Sequence, residues 1–156
     1  MAAVVAAGTW GYREWRAAGV RADFQLAAEQ AWEVTSTLSE AVEDAEWLLK
    51  QAAGEVAEPQ TLDALAEELR AAELIPALPS WQGWQDWSPD RLERVADELI
   101  EAAALRRDAE DAVLRATEQV RDAHDAWLAS PQGVEVDEDR EAAAVEPAVT
   151  LEESSW

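Results

Sequence analysis

The sequence predicts an all-α protein: long heptad-patterned helices that form a helical hairpin or a three-helix bundle with coiled-coil packing. Three observations predict it. Phe24, Ala28, Ala31, Thr35, Leu38, Val42, Ala45, Leu49 and Ala52 follow one another at strict four-three spacing, and so do Leu92, Val95, Leu99, Ala102, Arg106, Ala109, Val113, Ala116, Val120, Ala123 and Trp127. A seam of that period lies along one side of a helix and requires a partner. Between the seams lies Trp81-x-x-Trp84-x-x-Trp87, flanked by Pro76, Pro79 and Pro89, where regular helix must break. No stretch of any length alternates with the strand period.

The N-terminal segment, residues 1–22, reads as an arm. Trp10, Tyr12 and Trp15 are interleaved with Arg13, Arg16 and Arg21, and with only Glu14 opposing them this is the one net positive stretch. Gly8, Gly11 and Gly19 argue against a single regular helix here. The helical domain spans 23–130. Asp23 is placed to cap a helix over about 24–53, roughly 45 Å long. Its weakest stretch is Val34-Thr35-Ser36-Thr37, where β-branched and hydroxyl side chains lower helix propensity. Gly54 and Pro59 end it.

Thr61, with Asp63 in the first turn, restarts a short helix over about 61–74. The break at 54–60 permits a reversal or a kink. Ser88-Pro89-Asp90 combines a hydroxyl, a proline at the first position and an acid, and starts a helix over 89–129, near 60 Å long. Its length favours a bundle from which the third helix projects, leaving part of its seam for another chain. Residues 131–156 read as an acidic tail, in which Glu135, Asp137, Glu138, Asp139, Glu141, Glu146, Glu152 and Glu153 face Arg140 alone.

Composition bounds the chemistry. The chain has 156 residues, one domain in size, and nearly half of its hydrophobic fraction of 49% is alanine. Alanine favours helix but buries little area, so helices form readily around a thin core, and the nine tryptophans supply bulk. The net charge of −22 disfavours direct contact with nucleic acid or an anionic membrane and favours a basic partner or mimicry of a polyanion. No run is long and apolar enough to span a membrane, and Ala2–Gly8 lacks the basic segment of a signal peptide, so synthesis in the cytoplasm is expected.

No catalytic, cofactor-binding or metal-binding residue is expected. Cysteine is absent, and His124 has Val120, Arg121, Trp127 and Leu128 at its helical neighbours, none a suitable ligand. There is no Gly-x-Ser-x-Gly turn and no phosphate loop. Two aromatic groups are the candidate partner-binding sites. Trp81, Trp84 and Trp87 would share one face of a helical turn, either plugging the bundle end or meeting a partner. Trp10, Tyr12 and Trp15 could fold back on the chain or reach a neighbour. Arg106, at a seam position, marks either a stutter that lets Leu105 replace it or a buried polar layer that sets register.

Trp81-Gln82-Gly83 between helical segments resembles the Trp-x-Gly turn of the hairpin proteins of type VII secretion. The resemblance covers these residues and the helix–turn–helix layout, and it implies export with a small helical co-partner. The chain lacks the Tyr-x-x-x-Asp/Glu that follows the second arm in that family, its only tyrosine being Tyr12.

The function expected from these residues is non-enzymatic protein–protein interaction, as a structural component or assembly factor of a larger complex such as a phage particle. The partner would be another protein, or the chain itself through its seams. The alternatives are an acidic inhibitor that mimics nucleic acid and the secreted hairpin.

Overall fold

Alanine-rich, heptad-patterned sequence is helical wherever proline and glycine do not interrupt it. The computed structural model describes the backbone of residues 3–131 and the side chains of residues 14–131. It contains α1 (Ala3–Gln51), α2 (Gln60–Glu73), a 3-10 turn at Trp84–Asp86, and α3 (Pro89–Leu128). These pack as a three-helix bundle, and there is no strand among the described residues. The expected tail lies outside the described residues from 132 onward.

The seams set the direction of the helices. Phe24 and Ala31 of α1 share a buried cluster with Leu92 and Leu99 of α3, whereas Ala45 and Ala52 share a second cluster with Val113 and Val120. The two long helices therefore run parallel along most of their length. The short α2 packs antiparallel beside the second cluster through Leu65 and Leu69. The rest of the return path is a strap without α-helix, residues 74–88, which lays Leu78, Trp81, Trp84 and Trp87 over the first cluster. One half of the bundle is thus three helices, and the other is two helices closed by a tryptophan strap.

The first seam is wider than four-three spacing implies. Phe24, Ala31, Leu38, Ala45 and Ala52 are buried as expected, but so are Ala27, Val34, Ala41 and Leu48. Ala28, Thr35, Val42 and Leu49 are only half-buried. A helix that packs against both a second helix and a third layer buries three positions per heptad, and the extra row supplies the third. Along α3 the row Leu92, Leu99, Arg106, Val113 and Val120 is buried throughout. Around it, Ala96 and Ala103 are buried in the first half and Ala116, Thr117 and Ala123 in the second. So many alanines let the helices approach closely, and the bulk comes from Phe24, Leu65, Leu92 and Leu99.

Three expectations are corrected. Helix α1 does not begin at Asp23: it runs unbroken from Ala3 through Gly8, Gly11 and Gly19, so the arm is its first part. A helical glycine costs only about 1 kcal/mol relative to alanine, and the flanking Ala17, Ala18 and Ala22 favour helix. Second, α3 does not project past the bundle. Its last turns are held by the 52–59 loop, where the Ala57 N–H donates to the carbonyl of Ala123 at 2.9 Å. The overhang belongs to α1. Arg16 pairs with Glu93 at 3.1 Å, so the helix from Ala3 to Arg16, about 20 Å, precedes the start of α3. Third, Thr61 is not a cap: its hydroxyl donates to the Glu58 carbonyl at 2.7 Å, inside an α2 that begins at Gln60. The hydroxyl-rich stretch of α1 is helical, with the Thr35 hydroxyl donating to the carbonyl of Ala31 at 2.7 Å and that of Thr37 to the carbonyl of Val34 at 3.1 Å.

Candidate functional site: outer faces of the two long helices

Arg106 is a buried polar layer and not a stutter. It is 5% exposed, whereas Leu105 is 50% exposed. Its guanidinium donates to the carbonyl of Ala102 at 2.9 Å and to that of Pro76 at 2.6 Å. Burial pushes its pKa below the ordinary guanidinium value. Pro76 lies where α2 gives way to the strap, so Arg106 ties that junction to α3 between the two buried clusters.

The three strap tryptophans face the chain's own core. Trp84 meets the Phe24 ring at a centroid distance of 5.3 Å, and Trp87 meets it edge-on at 6.0 Å. Arg91 stacks its guanidinium on Trp87 at 3.9 Å. Gly83, at φ 72°, supplies the left-handed turn that brings Trp81 and Trp84 onto the same cluster. All three indoles remain half-buried, so a partner could reach only their outer edges. Trp81-Gln82-Gly83 does not join two long antiparallel arms, because α1 and α3 run parallel and a proline-bearing strap precedes the turn. Of the arm's aromatics, the side chains of Trp10 and Tyr12 lie outside the described residues. Trp15 is largely exposed.

The sequence reading missed Trp32 and Trp47. Both are exposed on α1, along with Trp15 and Leu26. With Phe24 as the first heptad position, these four fall at the second, third and sixth positions, all on the side of the helix opposite the core. Their offset from the seam was the available signal. On α3 the exposed Ile100, Leu114 and Leu128 all sit one residue after a core position.

Two open clefts accompany these faces. One, of about 540 Å³, lies between the start of α2 and the end of α3 and is lined by Glu58, Gln60, Thr61, Gln119, Asp122 and several alanines. The other, of about 390 Å³, lies between α1 and α3 and is lined by Glu33, Val34, Thr37, Arg107, Glu110 and Asp111. Across it Thr37 donates to the Glu110 carboxylate at 2.9 Å. Both linings are rich in carboxylates, and neither holds a histidine, cysteine or lysine.

His124 packs against the loop that follows α1. Its ring stacks on Trp127 at 6.3 Å, and Nδ1 lies 2.6 Å from the Glu55 carbonyl. A carbonyl only accepts, so Nδ1 carries the proton and donates. Among the described residues, no group of three or more His, Asp or Glu side chains converges where it could hold a metal ion, and no helix is long and apolar enough to cross a membrane.

Comparison of the chain with protein-family models, with curated proteins and with solved structures finds no match.

Proposed function

We propose that the protein is a non-enzymatic interaction protein, a helical component or assembly factor of a larger complex. The observation that carries this reading is the set of large apolar side chains on the outer side of α1, Trp15, Leu26, Trp32 and Trp47. The core stripe of α1 is filled by other residues, and Leu26, Trp32 and Trp47 stand outside it. Tryptophan is depleted from ordinary surface and enriched at interface centres. The seams themselves are mostly covered within the chain, so the binding capacity lies on the outer faces.

The test is affinity capture of the full chain from the cells that make it, beside a variant with Trp32→Ser and Trp47→Ser. A protein retained in stoichiometric amount by the unaltered chain, resistant to high salt and lost by the variant, supports the reading. A chain that binds no protein, itself included, overturns it.

The charge of −22 favours a second reading, an acidic inhibitor that occupies a basic cleft. Its partner would be released by salt and indifferent to the two tryptophan changes, since screened charge would carry the contact.

A further inference from the structure

The exposed row of α3 is self-complementary. Read at every seventh residue it runs Ile100, Arg107, Leu114, Arg121, Leu128. The order is a palindrome about Leu114: apolar, basic, apolar, basic, apolar. Ile100, Leu114 and Leu128 are 54%, 48% and 38% exposed.

A straight helix would rotate such a row by about 20° per heptad. Here the preceding row, Leu92 to Val120, stays buried against the bundle from end to end. The palindromic row therefore keeps one constant face. That face lies away from α2: Arg107 lines the α1–α3 cleft with Glu33, whereas Leu65 and Leu69 pack against Val113 and Val120 from the other side.

We propose that this face binds a second copy of the chain, with the two α3 helices antiparallel about a two-fold axis at Leu114. The inference rests on the interaction reading above and adds to the outer face of α1 a second surface, whose partner it names. A two-fold contact requires a patch that matches itself when reversed, and this row does. Leu114 meets Leu114 on the axis, and Ile100 meets Leu128 of the second copy at both ends.

The basic layers are paired and not opposed. Arg107 arrives at the level of the second copy's Arg121, but Glu118 and Asp125 flank that residue by one turn on either side. Arg121 likewise arrives beside the second copy's Asp111. All three acids are exposed and available. Each arginine thus finds a carboxylate across the axis that its own α1 does not occupy. The contact is a single helix pair, at the low end of stable interfaces, so it forms in proportion to concentration. Two chains of −22 repel at long range, and salt should strengthen the dimer where it would weaken a purely ionic one.

The experiment uses cysteine, which the chain lacks. Full-length Leu114→Cys, Ile100→Cys and Leu128→Cys chains are oxidised singly and as a mixture of the last two, with mass in solution followed by light scattering at low and high salt. Leu114→Cys should cross-link to itself. Ile100→Cys alone should not, because its two copies would stand about 42 Å apart, but it should cross-link to Leu128→Cys. Leu114→Arg, at an exposed position, should keep its helical circular dichroism and lose the dimer. Self-linking of Ile100→Cys, a monomer at every salt, or a dimer indifferent to Leu114→Arg would each overturn the proposal. A monomer that still captures a stoichiometric protein partner would overturn the dimer alone and leave the interaction reading standing.

Discussion

The Arg106 guanidinium donates to the carbonyl of Pro76 at 2.6 Å, joining two positions thirty residues apart in sequence. It does so from the row that otherwise holds Leu92, Leu99, Val113 and Val120. A charge among such residues is costly unless bonded, and the two carbonyls that receive it lie one turn back on α3 and at the end of α2. Arg106→Met keeps the volume and removes the donors. Loss of the two hydrogen bonds from the charged donor should then cost about 1–3 kcal/mol in chemical denaturation. Hydrogen exchange should quicken in the strap, 74–88, more than in α2. Equal quickening in both would show that Arg106 acts on the whole bundle and not on the junction.

Phe24 lies under two indoles and is 1% exposed. Phe24→Ala should cost about 3–5 kcal/mol, the range for deleting a buried aromatic ring. Tryptophan emission should shift to the red as Trp84 and Trp87 gain water. A loss under about 1 kcal/mol would mean that the strap does not close this half of the core.

Gly83 has φ 72° and no heavy atom within 4 Å of where a Cβ would stand. Gly83→Ala should therefore cost only the backbone penalty, about 1–2 kcal/mol. Gly19→Ala, in open space within a helix, should stabilise by up to about 1 kcal/mol. Thermal melts of the two variants should move in opposite directions.

Trp32 and Trp47 are exposed on the side of α1 away from the core. Trp32→Ser and Trp47→Ser should each change stability by less than about 0.5 kcal/mol, as surface substitutions do. Trp84→Ala should cost several times more. Equal losses at all three positions, read from denaturation midpoints, would place Trp32 and Trp47 in the fold and remove them from the proposed binding face.

Like charges on a chain of −22 repel within the compact state. Arg16 pairs with Asp90 and Glu93, and Lys50 with Glu46, all at exposed positions. Added salt should therefore raise the melting temperature as the screening length falls from roughly 8 Å toward 3 Å. A fall with salt would mean that these few exposed pairs outweigh the repulsion.

The helical class, the three helical segments and the breaks at Gly54 and Pro76 were legible in the sequence, because heptad period and helix-breaking residues are local properties. The start of α1 was not. Three glycines argue for a break, and the alanine-rich context that overrides them is a small sum of many weak preferences. The core rows Phe24–Ala52 and Leu92–Val120 were read correctly, while the row Ala27, Val34, Ala41, Leu48 was missed. A four-three count admits either neighbour of each seam residue, and only the position of a third packing layer selects one.

The sequence by itself determined that this chain is helical, where its apolar stripes run and that its surface is acidic, since each follows from residue type and spacing alone. The tertiary structure decided what those stripes touch. It made α1 and α3 parallel, gave half of the return path to a tryptophan strap, turned Arg106 inward onto Pro76 and left Trp32, Trp47 and Leu114 outside. Those outcomes depend on which surfaces meet after the chain reverses at 52–59 and again where the strap enters α3. The free energy of such meetings belongs to pairs of residues far apart in sequence.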